Sequence, residues 1–301
     1  MAREKDARMA LRIVVAGEIY LDQIFSGFES WPARGQESYA TAFVRELGGG
    51  APHTGAGLAR LGWDTVLVGP IGKDAWVRER LAELGVVGRL REHPTEPTGT
   101  TVAISMPDER TFFSYPGANV DLAAALADLP PADHLHLAAP CAASTLRTLS
   151  QSIRTVSVDA GWHPGWLRDR EIWEALSSVD WFFPNEIEAS ELTGETDVEP
   201  VLHRFETLRI RAAVKLGAKG AAALDGGRVV HVPAIHLQPA DTTGAGDCFN
   251  AGFLDAWLRG ESIEESLRGG CVCGGLSTRE VGGMNGFPTR EELNEWLSKS
   301  R

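Results

Sequence analysis

Residues 241–254 read DTTGAGDCFNAGFL, two threonines and a glycine–alanine–glycine step directly before an apolar helical pattern. Glycine tolerates backbone conformations that side chains forbid, so Gly244 and Gly246 let successive N–H groups converge on one point. At a helix N-terminus such groups form an anion hole that the helix dipole reinforces. Asp247 falls in the first turn of that helix. A carboxylate beside an anion hole can take a proton from a hydroxyl while the hole holds the charge that develops. Moving a phosphoryl group to an alcohol needs that combination. On the heptapeptide alone a second reading stays open, in which Asp247 caps the helix and the glycines only make a tight turn.

The chain around this stretch has 301 residues, enough for one large α/β domain over 1–301 with a sizeable core. A formal net charge of −12 argues against a nucleic-acid partner or an anionic membrane surface. It leaves room for a local phosphate pocket built from backbone amides. Cysteines at 141, 248, 271 and 273 form no CxxC pair, so no zinc site or disulfide framework is expected and a reducing compartment is the default. The charged start MAREKDARMALR lacks an apolar core for a secretory signal, and no run of about 18 apolar residues occurs. The expected location is cytoplasmic.

Leu11–Ile19 is a short apolar run rich in β-branched residues and predicts a buried first strand. Gly48–Gly50 leads into a helix that ends at Gly62, and Thr65–Val68 predicts the next strand. Further strands are predicted at His134–Leu137, Thr155–Asp159, Asp180–Pro184, Ala212–Leu216 and Ala221–Leu224, and helices begin near Ala245, Ile263 and Arg290. Two segments interrupt the alternation. Thr98–Ser105 and Thr111–Tyr115 flank the polar tip PDER and predict a hairpin, and Ser26–Val44 carries strand-like pieces without helical period. The predicted fold class is α/β, a mostly parallel central sheet with helices on both faces. A small β lid is added by inserts at about 20–46 and 96–118. Ligands of such sheets bind beyond the carboxyl ends of the strands.

DTTGAGDCFNAGFL resembles the C-terminal signature of the PfkB carbohydrate kinases, part of the ribokinase-like superfamily. The resemblance implies that Gly244, Ala245 and Gly246 form the anion hole for the transferred phosphate and that Asp247 is the catalytic base. Four more segments follow in family order. GEIYLD (17–22) is similar to the motif whose aspartate, here Asp22, binds sugar hydroxyls, with Tyr20 beside it. GGGAPHTGAGLARLG (48–62) resembles the N-terminal signature, which puts Gly48, Gly49 and His53 at the substrate. PNEIEASELTG (184–194) is similar to the Asn-x-x-Glu segment, so Asn185 would serve the ATP phosphates and Glu188 would hold Mg²⁺ through water. VKLGAKG (214–220) resembles the strand and turn after the nucleotide, with Lys215, Gly217 and Gly220 as nucleotide-binding positions. Asp241 and Thr243 match positions that contribute to a monovalent cation site, which implies K⁺, and carbonyls of 278–286 could complete it. Family relatives often dimerise through their lids, so a homodimer is expected, with Val102, Ile104 and Phe112 on the apolar lid face.

Other readings of these segments remain: Asn185 and Glu188 alone make a capping box. There is no GxxxxGK[ST], no GxGxxG register in 48–57 and no HExxH, and His134 and His136 alternate within a strand as structural residues would. The substrate is less determined. Ribokinases have asparagines where this chain has His53 and near Tyr20, and a glutamate near the end of HLHLAAP. Asn119 is a further polar candidate. A sugar or sugar-acid kinase leads. A nucleoside kinase would need a platform for the base, with Tyr20, Trp31, Phe43 and Phe113 as suppliers. A non-catalytic sugar-binding protein is the third reading, and the intact Asp247 and glycine step weigh against it.

Overall fold

Six parallel strands run side by side through the middle of the molecule, seen in a computed structural model that describes residues 11–31, 34–106 and 110–299. They are β1 (Arg12–Gly17), β4 (Asp64–Ile71), β5 (Val87–Glu92), β8 (His134–Ala138), β9 (Thr155–Val158) and β10 (Trp181–Phe182). Their order is β10-β9-β8-β1-β4-β5, with every neighbouring pair parallel. Ile13, Val14, Val15 and Ala16 of β1 are all fully buried, because helices cover both faces and neither side of the strand can be polar. Bridges Phe182↔Ala212 and Asn185↔Lys215 extend the layer to β11 (Ala213–Lys215). That strand pairs antiparallel with β12 (Ala221–Asp225), which pairs antiparallel with β13 (Arg228–Val232).

The alternation of β1 divides the core in two. Ile13 and Val15 pack with α1 (Gly50–Arg60), α2 (Ala75–Glu83), α9 (Ala245–Leu258), α10 (Ile263–Ser277) and α11 (Arg290–Lys299), through Leu58, Leu81, Phe253, Leu267 and Leu293. Val14 and Ala16 face the opposite layer of α3 (Leu122–Leu126), α4 (Ala143–Ser152), α5 (Pro164–Leu167), α6 (Arg170–Leu176), α7 (Glu186–Thr193) and α8 (Val198–Thr207). The predicted strands and helix starts are all present. Strand β5 was not predicted, since its sequence VGRLRE hides the period: Arg89 and Arg91 point to water and pair with Asp128 and Asp121.

The two inserts form a separate four-stranded sheet of β2 (Tyr20–Ser26), β3 (Ala42–Gly48), β6 (Gly99–Ser105) and β7 (Arg110–Tyr115), in the order β3-β2-β6-β7. They pair with each other, as expected of hairpins too small to stand alone, through the parallel contact of β2 and β6. The hairpin tip at 107–109 and the charged start at 1–10 lie outside the described residues.

Register corrects one expectation about this sheet. Val102 lies opposite Phe113 and Ala103 opposite Phe112. Directly opposed residues share a face, so Phe112 sits on the side of Ala103, Ile24 and Asp22, not with Val102 and Ile104. The outer face instead carries Phe25, Phe43, Val102, Ile104 and Phe113.

Candidate active site

The carboxyl ends of the central strands converge on the N-terminus of α9. Gly244 caps that helix in the left-handed region, at φ 69°, and Asp247 lies in its first turn. The first N–H groups of a helix have no acceptor within it; here the Ala245 N–H turns back on Thr242 O at 3.3 Å. A Cβ on Gly244 would fall 2.2 Å from Cδ2 of His53. The imidazole therefore forms the floor beneath the turn.

His53 itself is 3% exposed, and both of its ring nitrogens face carbonyls: Nδ1 at 3.0 Å from Gly49 O and Nε2 at 3.0 Å from Gly282 O. A carbonyl only accepts, so satisfying both contacts takes the imidazolium form. Burial pulls the His53 pKa down, but the Asp247 charge, the two carbonyls and Asp22 outweigh it, and the net shift is upward. The ring was expected at the substrate, yet here its polar atoms brace the backbone. Asn119 behaves similarly. Its Oδ1 accepts the Ile19 N–H at 3.0 Å and its Nδ2 donates to Ile19 O at 3.0 Å, which pins the junction of β1 and β2.

Two carboxylates lie against glycines of the 48–50 step. The Asp22 carboxylate lies against Gly48, where a Cβ would approach it to 2.0 Å, and Oδ1 of Asp247 lies 2.8 Å from the Cβ position of Gly50. The diglycine approach thus leaves room for both acids. The Thr54 hydroxyl donates to Asp247 O at 3.1 Å and ties α1 to α9. Burial raises the Asp22 pKa to about 6, against the lowering effect of His53. Burial also raises that of Asp247, with Asp159 adding to it, against His53 and Lys215. Ionising these groups costs folding stability: the stability is present below the ordinary carboxylate range and is lost as pH rises through the raised values. Tyr20 stands beside Asp22 on the same face, its hydroxyl 3.4 Å from Glu18 and its pKa pushed up by burial to about 12.

On the other side of the glycine step lies a largely apolar cavity of about 310 Å³, lined by Gly217, Gly220, Ile235, Phe249, Gly246 and Lys215 among others. Asn185 and Glu188 sit nearby and form the reciprocal cap that their spacing permits. Asn185 Oδ1 accepts from the Glu188 N–H and Glu188 Oε2 from the Asn185 N–H, each at 2.9 Å. Burial raises Glu188 to about 6, and Asp159 adds to the shift. Glu188, Asp159 and Asp247 all act on the single ammonium of Lys215. That excess of negative charge fits a divalent cation, which Glu188 would hold. Asp241 is 2% exposed, and its two oxygens accept the N–H groups of Thr243 at 2.6 Å and Gly282 at 2.9 Å. It joins the 243 turn to the 282 loop.

Asp159 and Asn250 escaped the sequence reading. Asp159 directly follows β9 at a strand's carboxyl end, the position where α/β sheets bind ligands, and Asn250 lies one turn after Asp247; those were the available signals. His134 and His136 are structural, bonded to Thr155 and Ser157, with burial holding His134 near 3 and His136 near 4.

The sequence matches the model for the pfkB family carbohydrate kinases over residues 10–290. It is 31% identical to the ATP-dependent ribose-1-phosphate kinase of Halopiger xanaduensis, across 96% of this chain and 99% of that one. It is 27% identical to the ribokinase of Bacillus subtilis, across 95% and 99%. The structure of Arabidopsis thaliana ribokinase complexed with ribose and ATP superposes with a TM-score of 0.80 at 28% identity, covering 96% of this chain and 99% of the other. With the glycine step, the first-turn aspartate and the two-sheet architecture all in place, the chain belongs to the pfkB family of carbohydrate kinases.

Proposed function

We propose that the protein transfers the γ-phosphoryl group of ATP to a hydroxyl of a small sugar, with Asp247 as base and the Gly244–Gly246 step as anion hole. One observation carries this reading: the carboxylate of Asp247 sits in the first turn behind the glycine step and against Gly50, while Gly246 of that step lines the adjacent cavity. ATP occupies the cavity with its phosphates toward the step. The sugar lies in a cleft beside Gly48, oriented by Asp22, with Tyr20 alongside. The acceptor hydroxyl donates to Asp247 and passes it the proton as the new O–P bond forms and the bond to the ADP oxygen breaks. Glu188 would hold Mg²⁺ through water, and the ion would supply neutralisation of the phosphate charge. The small sheet closes over the cleft and keeps out water, the competing acceptor.

The faces taken by the four aromatic residues considered support a sugar over a nucleoside, with Phe112 the inner-face aromatic that would speak for a base. Phe43 and Phe113 lie on the outer face of the small sheet, and Trp31 lines the groove on that side. Of the four aromatic residues considered for a base platform, Tyr20 alone shares the face of Asp22. An ADP-release screen over pentoses, hexoses, sugar acids, nucleosides and ribose 1-phosphate, named in the activity of the Halopiger relative, tests this. Turnover with nucleosides and not with sugars would reverse the preference.

We propose that a monovalent cation, K⁺, binds beside the 243 turn and the 282 loop, which Asp241 ties together. A cation there raises the positive potential of the anion hole. Rates at fixed ionic strength are expected to be higher in K⁺ than in tetramethylammonium. Equal rates, in protein freed of carried-over cation, would remove this assignment.

The outer face of the small sheet is an apolar groove of about 680 Å³ that includes Phe25, Phe43, Ile104 and Phe113. Phe43 is 54% and Phe113 58% exposed. Contiguous exposed apolar surface of this kind marks an interaction site, and a second copy of the chain would cover it. Light scattering at micromolar concentration should find a dimer that Ile104→Lys converts to monomer. A monomeric parent, or a dimer indifferent to Ile104→Lys, would rule this interface out. Cys248, Cys271 and Cys273 are buried thiols, and among the described residues no helix is long and apolar enough to cross a membrane.

A further inference from the structure

We propose that Lys215 is a catalytic residue that grips the transferred phosphoryl group, and that Asp159 and Asn250 are the positioning residues that aim it. The inference rests on the reading of the 217–278 cavity as the nucleotide site.

Lys215 closes β11, so its side chain starts at the carboxyl edge of the sheet. Its Nζ donates to Asp159 Oδ2 at 2.5 Å, and Asn250 Nδ2 donates to the same oxygen at 2.6 Å. Only 12% of the lysine side chain and 8% of the aspartate side chain are exposed. An ammonium has three N–H donors. Among the described residues Asp159 is the hydrogen-bond partner of this one, which leaves donors for a ligand.

The location says which ligand. Nζ lies 3.4 Å from the Cβ position of Gly246, against the second glycine of the anion hole. Lys215 and Gly246 both line the cavity, so ammonium and backbone amides address the same space. The helix end supplies only about half a positive charge there. A phosphoryl group in transfer spreads negative charge over three oxygens, and a full point charge in a water-poor site stabilises it well beyond what amides provide. Burial alone would drive the lysine pKa down, but Asp159, Glu188 and Asp247 outweigh it and the net shift is upward. Lys215 therefore keeps its proton throughout, and the hydroxyl proton goes to Asp247.

A buried ion pair by itself is a poor source of stability, so packing does not account for this one. Asn250 completes the arrangement: it stands three residues after Asp247 on α9, so one helix face carries both the base and the brace of the lysine.

Calorimetry with Mg²⁺ present, using a non-hydrolysable ATP analogue and ADP, separates a γ-phosphate contact from general nucleotide binding. Lys215→Met is expected to weaken the analogue roughly ten- to hundredfold while ADP stays within about twofold. Orphaning Asp159 could unfold that variant, so Lys215→Met/Asp159→Asn, which leaves no unpaired charge, is measured beside it with the same expectation. Asp159→Asn alone should lower the preference for the analogue over ADP in the same direction, because the ammonium keeps the charges of Glu188 and Asp247 beside it but is no longer aimed. Equal weakening of both nucleotides, or of neither, in the double variant would overturn the proposal. A parent protein that binds neither nucleotide would instead show that the cavity is misread, and the role of Lys215 would fall with it.

Discussion

Asp247→Asn is expected to lower kcat by roughly two to four orders of magnitude, the range for losing general-base help. Calorimetric ATP binding should hold near the parent value. The substitution keeps shape and a hydrogen-bonding oxygen but cannot accept the hydroxyl proton. It should also raise the melting temperature at neutral pH. Desolvation and the Asp159 charge raise the pKa of Asp247, so ionising it costs folding stability. Loss of activity with gain of stability is the signature of a group kept for chemistry. A variant within about threefold of the parent kcat would refute the assignment of the base.

The second large effect is expected at Gly244. An alanine there meets two obstacles. The backbone is at φ 69°, costly for a side chain, and the new methyl would lie 2.2 Å from the buried His53 ring. Left-handed backbone costs roughly 1–2 kcal/mol, and overpacking typically adds about 1–3 kcal/mol. Gly85 provides the control, since it has φ 74° but nothing within 4 Å of its Cβ position. Denaturant unfolding should therefore show Gly85→Ala paying the backbone term alone and Gly244→Ala losing clearly more. Gly244→Ala should also lose turnover, because the imidazolium and the 282 loop move with the anion hole. Equal destabilisation at the two sites would show that His53 does not support the turn.

His53 and Asn119 show why candidate residues were easier to name than to use. Both are polar residues within a recognisable signature or beside a strand, and both were expected at the substrate. In the folded chain each satisfies its polar atoms on backbone: His53 on Gly49 and Gly282, Asn119 on Ile19. Buried polar groups must find partners. Whether a partner is substrate or main chain depends on residues 229 positions away for His53 and 100 for Asn119. The Asp159–Lys215–Asn250 cluster was hidden for the same reason, its contacts spanning 56 and 91 positions.

The sequence by itself determined the α/β layering, the helix that starts at the 244–246 step and the acid in its first turn. Each follows from local chemistry: β-branched runs, glycine at a turn and a carboxylate one turn into a helix. Even the small sheet was legible, because two short β-rich inserts could only be stable together. Only the tertiary structure decided which face each aromatic residue took, since a one-residue shift in strand register exchanges Phe112 for Phe113. It also decided which polar groups found partners in the main chain. His53 and Asn119 do, whereas Lys215 pairs with Asp159 and Asp22 lies against Gly48, because satisfying a buried donor or acceptor is a property of the whole packed chain.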